Sequence, residues 1–596
     1  MGKHARPTRT RVTHAPGGGV RARPLPVRST VRLRRPVDIW HKPALSAVVA
    51  MAVPDLTLFA LGRMDLILYT SAGAMCALYG HGLPYAARAR TLPWVVAGMV
   101  ASLGAALTAA SLLTSTALLV VLASLLAAVH KMVCDATRIG PPGNLIFTFI
   151  AASAFFVPQR TGQIPLHLAL ALGAGALAWL VCMAPSLIRP RGPERIATAR
   201  ALEAAAALLR TDPAGGPAAQ ARQATAGAVN AAWHTLFLVP ARTPAKAAAR
   251  TGLERLLIRA ESALEGPAGP GGGTAAGEAE LLGGWAREVR GGGPLPDVPL
   301  SAAQREELDG VTTESADLDP YPAVPDGPRR PAPGRPRGFR ALAAALAPGS
   351  PLLPIGLRVA AGCALAGWAS MALGVGHPYW AVVTAASVFQ ANTTLSWQRA
   401  LQRTLGNLLG LLLFTALLPL IHTGHLTMIG LALLFQLGAE AWITRNYWLG
   451  SVCVTPMALL LTEFGNPLPA RTLVADRWID TLVGAVVGLA CCVLVTNRRA
   501  TDRIHGALDR VASATATAQR LLASDPAPGT EDALETGWAR DRLAACLAEL
   551  REAVDVASGE WWQRALPEER VTHAEQQGHR TLAQLARRLA RPVPVA

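Results

Sequence analysis

Two long apolar blocks, roughly 43–189 and 351–496, constrain this chain more than any other feature. Each has room for about six spans of ~20 residues. The stretch 377–410, HPYWAVVTAASVFQANTTLSWQRALQRTLGNLLG, shows how the blocks are organised. It starts at the mouth of one apolar helix and ends inside the next, with Arg399 and Arg403 expected in a short turn between them. Apolar, basic turn, apolar is the pattern of a chain that crosses a bilayer and returns, with the arginines on the cytoplasmic side. Only 16% of the residues are charged, against about 25% in a typical soluble chain. The fold class expected is all-α, a polytopic integral membrane protein of two tandem blocks of about six transmembrane helices, each followed by a cytoplasmic helical segment.

The first block reads as helices near 44–61, 65–80, 92–111, 114–133, 143–158 and 165–188. The second reads near 352–373, 378–391, 403–421, 425–441, 447–463 and 477–496. With the N-terminus inside, the inner turns include His81 to Arg90, Lys131 to Arg138, Arg189 to Arg195, Arg399 to Arg403, Arg445 and Arg498-Arg499. The outer turns carry about half as many basic residues, as the positive-inside rule requires. The loop with Arg471 and Arg477 is the weakest fit. The expected location is a bacterial cytoplasmic membrane, with both termini cytoplasmic.

Charge and composition divide the chain. Residues 1–42 form a basic cytoplasmic tail, with eleven Lys/Arg against one acid. The first membrane block is 43–190 and a cytoplasmic helical domain is 191–310. Residues 311–345, rich in Pro, Asp and Arg, read as a disordered linker. The second membrane block is 346–497, and 498–596 is a C-terminal helical domain. Segment 191–345 is balanced, with eighteen basic and seventeen acidic residues. A nucleic-acid binder would be basic throughout, so none is expected. Anionic lipid beneath the first span accounts for the basic tail.

The blocks read as a tandem repeat. Arg90-Thr91-Leu92 follows the second span as Arg403-Thr404-Leu405 follows the eighth, and Gly173 and Gly175 echo Gly484 and Gly488 loosely. An even number of spans per repeat gives parallel halves about an axis along the membrane normal.

Ionisable residues at membrane depth cost several kcal/mol (estimates run from ~3 upward) unless paired or wet. Asp55, after Pro54, either lines a cavity and carries a proton or is a kink carboxylate held by neighbouring hydroxyls. Asp480 is the second candidate for proton coupling. Asp476, Arg477 and Asp480 share one helical face, as a structural ion pair would. Glu440 and Arg445 bracket the tenth span and are placed to pair with each other or with Arg403. Arg399 and Arg403 are either positive-inside anchors or, with the positive helix N-terminus, a carboxylate site. Gln390, Asn392, Thr393, Thr394 and Trp397 crowd the same turn with hydrogen-bonding and stacking groups. Tyr379 and Trp380, after His377-Pro378, read either as an aromatic belt or as a substrate surface. Gly406 and Gly410, like Gly484 and Gly488, are helix-packing positions.

Seven of the eight cysteines lie in or beside apolar segments without metal-ligand spacing, so they read as packing residues. No P-loop, HExxH, GxSxG or kinase motif occurs. No enzyme activity, metal or cofactor is expected.

The stretch HPYWAVVTAASVFQ followed by RALQRTLGNLLG resembles the hallmark of the fusaric-acid-resistance (FUSC) family. RNYWLGSVCVTPMALLL (445–461) and DRWIDTLVGAVVGLA (476–490) extend the resemblance over the second block. GAMCALYGHGLPYAARAR and PPGNLIFTFIAASAFFVP resemble the other half more weakly. The family pattern is Arg-x-x-Gly-Thr-x-x-x-Gly; Arg403, Gly406 and Gly410 match, and Asn407 stands at the threonine. The resemblance implies a bacterial inner-membrane protein similar to aromatic carboxylic acid exporters and, more distantly, to plant malate channels. The function expected is proton-driven export of aromatic carboxylic acids. An organic-anion channel, or a non-transporting membrane scaffold or envelope regulator, is the alternative. The partners expected are the lipid bilayer, an organic anion and a homo-oligomer.

Overall fold

The computed structural model describes residues 27–33, 39–211, 216–239, 244–265, 274–296, 298, 339–348, 350, 352–463, 470–494, 500–524, 530–559 and 567–589. Most of the basic tail and of the linker, the loop 464–469 and Arg498-Arg499 lie outside them. Among the described residues every regular element is a helix.

The first half holds α2 (His41–Ala60), α3 (Met64–Leu78), α4 (Tyr85–Leu112), α5 (Thr116–Thr137), α6 (Leu145–Ala154) and α7 (Ile164–Met183), preceded by the short α1 (Arg28–Val31) and followed by α8 (Pro185–Ile188). A first helical domain follows, with α9 (Gly192–Leu209), α10 (Gly216–Phe237), α11 (Pro244–Ser262) and α12 (Ala275–Gly291). Next comes α13 (Phe339–Leu346), a helix at the end of the segment expected to be linker. The second half holds α14 (Leu353–Ala372), α15 (Tyr379–Val388), α16 (Thr393–Ile421), α17 (His425–Ile443), α18 (Tyr447–Glu463) and α19 (Ala470–Leu494). The C-terminal domain is α20 (Ala500–Ala523), α21 (Thr530–Ser558) and α22 (Glu568–Leu589).

Among the described residues eight helices are long and apolar enough to cross a membrane. The four shorter ones, α3, α6, α15 and α18, occupy the second and fifth positions of each half. Ten residues of helix rise about 15 Å, half of a ~30 Å hydrocarbon core, so α6 and α15 cannot cross alone. Three spans start earlier than the sequence suggests: α4 at Tyr85, α16 at Thr393 and α19 at Ala470. Their first turns are polar, and hydropathy marks only the apolar remainder. Arg399 and Arg403 therefore lie within α16, not in a turn.

The halves pack as parallel repeats. Span α2 of the first half lies against α17 of the second, and α14 lies against α5, the reciprocal contact. The short pre-span helices cross over too, α1 onto α16 and α13 onto α5. Paired ends α4/α16 fall at Leu112 and Ile421. That register puts Arg90 and Arg403 one helical turn apart, so the Arg-Thr-Leu match is not an equivalence. One buried core, with Met99, Phe147, Trp380 and Phe414, runs through both halves.

Close crossings depend on small residues. A Cβ on Gly406 would collide with Ser451 and with the Trp448 carbonyl of α18, and one on Gly410 would meet Thr455 at 2.7 Å. Gly484 and Gly488 seat α19 on α15, where a Cβ on Gly484 would lie 2.6 Å from the Ala381 carbonyl. In the first half Gly73 of α3 makes the matching approach to α7 at Ala171 and Gly175, while Gly173 faces open space.

The two helical domains share one end of the bundle, hereafter the domain end. The first is cored by Leu202, Trp233, Leu256 and Leu282, the second by Ile504, Val511, Leu543 and Leu550. They touch. Arg540 pairs with Glu261 and lies over the Trp233 ring at 5.1 Å, and Gln223 donates to Glu575 at 3.3 Å.

Overpacking against backbone costs about 1–3 kcal/mol. Gly484→Val is therefore expected to lower the thermal midpoint of the purified protein by several degrees, and Gly173→Val to leave it unchanged; melting in one detergent checks both.

Candidate membrane anion site

The buried polar groups of the second half converge where α16, α18 and α19 meet the half-length α15. The sequence puts Arg403, Asn407 and Gly410 along one stripe of α16 at steps of four and three, which on a helix is a single face. All three are buried. Arg403, 3% exposed, donates through Nη1 to the Tyr447 hydroxyl at 3.1 Å. Arg399, one turn earlier, lies over the same ring at 3.9 Å.

Arg477, 1% exposed, comes from the polar start of α19 and stacks on Trp380 with its Cζ 3.5 Å from the ring centroid. Its Nε and Nη1, and the Nε of Arg403, have no hydrogen-bond partner. Among the described residues neither arginine makes an ion pair, although buried cations are normally paired. The aromatic wall continues into the first half: Phe149 stacks on Trp380 at 5.5 Å and Phe156 on Tyr379 at 5.6 Å. Tyr379 and Trp380 are thus core residues at the junction of two short helices, α6 and α15, and not a lipid-facing belt.

Asn407 ties three helices together. Its amide donates to Thr481 at 2.8 Å and accepts from Thr455 at 2.6 Å, while Thr481 donates to the Arg477 carbonyl at 2.7 Å. An amide has both a donor and an acceptor arm for these hydroxyls, so asparagine serves this position. Asp480 is fully buried and accepts from Ser370, and its Oδ2 is unpartnered.

Several expected pairings take other forms. Asp476 pairs with His377, Nδ1 to Oδ2 at 3.0 Å, and not with Arg477. Its carboxylate projects toward the loop ahead of α15. Glu440 has no ion pair to Arg445 or Arg403 among the described residues, and Arg445 lies over the Trp442 ring at 4.8 Å. Gln390 bonds the Ser387 and Phe389 carbonyls, and Trp397 Nε1 is buried without a partner. Asn392 caps α16 by accepting from the Leu395 N–H at 2.8 Å. Gln390 and Asn392 therefore serve the turn itself. Asp55 is buried with Oδ1 unpartnered, but α2 packs on α3, α7 and α17, while Asp480's helix packs on α14, α15 and α16. The two carboxylates belong to different clusters.

Sequence reading missed Tyr447, Ser370, Phe149 and Phe156. A serine or tyrosine within an apolar run carries little signal until its partner is known. Phe149 and Phe156 lie far from Trp380 along the chain.

Residues 364–491 match the family model described as fusaric acid resistance protein-like. The chain is 31% identical over 196 residues to the "Uncharacterized membrane protein YvaC" of Bacillus subtilis, covering 32% of this chain and 29% of that protein. It is 29% identical over 140 residues to the "Uncharacterized protein slr1298" of Synechocystis sp., covering 24% and 18%. The chain thus aligns with less than a third of the length of either curated relative. No solved structure matches it. Trp380, Arg403, Asn407, Arg477 and Asp480 all fall inside the matched segment. Through residues 364–491 this membrane protein is similar to the fusaric acid resistance protein-like family.

Proposed function

We propose that the protein moves small organic anions, aromatic carboxylates among them, out of the cell across the bacterial cytoplasmic membrane. The observation that carries this reading is the pair of buried arginines, Arg403 and Arg477, with unpartnered N–H groups and no ion pair among the described residues. A carboxylate satisfies such donors with strong charge-assisted hydrogen bonds. The ring of an aromatic acid suits the wall of Trp380, Tyr379, Phe149 and Phe156. Short segments at corresponding positions of two repeats are where transporters place their substrate site. The family description, fusaric acid resistance protein-like, supports efflux of an organic acid.

In this reading the domain end is cytoplasmic, and Arg399 draws the anion toward Arg403. Asp480 is the proton-linked group, because it is buried with one oxygen free beside Arg477 on the same helix face. Asp55 is the corresponding candidate in the first half. No covalent step is involved, so the protein is not an enzyme in this reading.

Losing one hydrogen bond to a charged group is worth about 1.5–3 kcal/mol. Arg477→Gln and Arg403→Gln are each expected to cut export of labelled benzoate about tenfold or more at unchanged membrane abundance. Full export by both variants would remove the site, and wild-type cells that retain every acid tested would favour a scaffold. Asp480→Asn is expected to leave residual benzoate flux insensitive to a protonophore, whereas Asp55→Asn keeps that sensitivity; the reverse pattern would move the coupling group to α2.

A further inference from the structure

We infer that the C-terminal helical domain is a brace that closes the domain-end mouth of the membrane site, and that its longest helix, α21, must undock for the site to open. The inference rests on the transport reading above for its meaning, but not for its geometry.

The first turn of α16 is where an anion approaching from the domain end would meet the free N–H groups of a helix start. Those groups are taken. The Thr394 N–H and hydroxyl both donate to the Gly559 carbonyl, at 2.9 and 2.7 Å, and the Asn392 amide donates to the Asp555 carbonyl at 3.2 Å. Both acceptors belong to the C-terminal end of α21, so the carbonyl end of one helix is set against the amide end of another, a favourable alignment of dipoles. The fit is close: a Cβ on Gly559 would strike the side chain of Asn392. Asn392, Thr393 and Ser396 are buried beneath this contact.

Above the docked turn the face of α16 continues through Arg399 and Arg403 to Asn407. The mouth that α21 covers is therefore the foot of the polar stripe that ends at the buried arginines.

The brace also reaches the other half. Arg138, just past the end of α5, pairs with Glu552 of α21 at 2.8 Å. One helix thus holds both repeats at the same end. An N-terminal strap repeats the arrangement. The Thr30 carbonyl, ahead of the first-half α2, accepts from Gln402 of α16 and from Asn446 in the turn between α17 and α18, each at 2.9 Å. Parallel halves that rock about their shared axis would have to break or carry these ties. The exposed Arg138–Glu552 pair is worth little alone; the three part-buried hydrogen bonds at Asn392 and Thr394 are what hold α21 in place.

The test uses the full-length protein in two arms. In the first, Ser396→Cys reports the mouth through its rate of labelling by a membrane-impermeant maleimide, followed on that peptide by mass spectrometry. Adding Gly559→Leu, which leaves no room for docking, is expected to raise the rate about tenfold or more, the scale of losing two or three hydrogen bonds. In the second, Arg138→Cys with Glu552→Cys is joined by a short bis-maleimide. Export of labelled benzoate is expected to fall about tenfold on joining, with each single cysteine variant unaffected by the reagent. Labelling that ignores Gly559→Leu, or flux that survives the joined pair, overturns the brace and leaves the transport reading standing. Labelling that responds in a protein that moves no benzoate keeps the brace and overturns the transport reading.

Discussion

Taking a guanidinium group out of water costs several kcal/mol unless it is paired and hydrogen-bonded, and among those this membrane core holds are Arg403 and Arg477, which make no ion pair among the described residues. Much of the second half serves to make them tolerable. Arg477 rests on the Trp380 face, where the ring quadrupole offsets part of the cost, and Arg403 donates to Tyr447. The Asn407 network fixes the helices that carry them, α16 and α19, against α18. What is left, among the described residues, is a set of N–H groups without acceptors, the demand that the proposed anion would meet.

The fold supplies the place for that demand through its interrupted helices. A site at bilayer depth needs non-helical backbone only where protein or water covers it. The short α15 and α6 meet at the junction of the repeats, where the helices themselves are buried in protein. Gly484, Gly488, Gly406 and Gly410 let the backbones approach until the polar side chains of three helices meet in hydrogen bonds. The repeats share such crossings but differ in their buried polar groups. In the first half Gly73 makes the close crossing, Ser102, His130 and Thr148 form a hydroxyl–histidine cluster, and the buried Arg88 donates to the Gly80, His81, Leu83 and Cys182 carbonyls.

How far the residues themselves spoke can be judged from particular positions. Apolar block length announced the two helical halves, and the positions of Arg403, Asp480 and the packing glycines were legible because charge and glycine are rare in apolar helices. The polar first turns of α4, α16 and α19 were not legible as helix, since hydropathy sees the lipid-facing part only. Asp476, Arg477 and Asp480 looked like one ion-paired face from their spacing. Each took a partner from elsewhere in the fold instead: His377 in the loop ahead of α15, Trp380 on α15 and Ser370 on α14.

The sequence by itself determined that this chain is a helical, multi-pass membrane protein in two halves, because the cost of leaving backbone and charge in lipid acts on each segment separately. It also carried the resemblance of the second half to the fusaric acid resistance protein-like family, through the run of motifs from His377 to Ala490. Only the tertiary structure decided which buried charges lack partners, which aromatic rings wall the site, and that α21 covers the start of α16. Those properties belong to pairs of residues from distant segments, such as Phe149 with Trp380 and Asn392 with Asp555. No local energy term along the chain contains them, because they exist only once the two halves and the C-terminal domain are packed together.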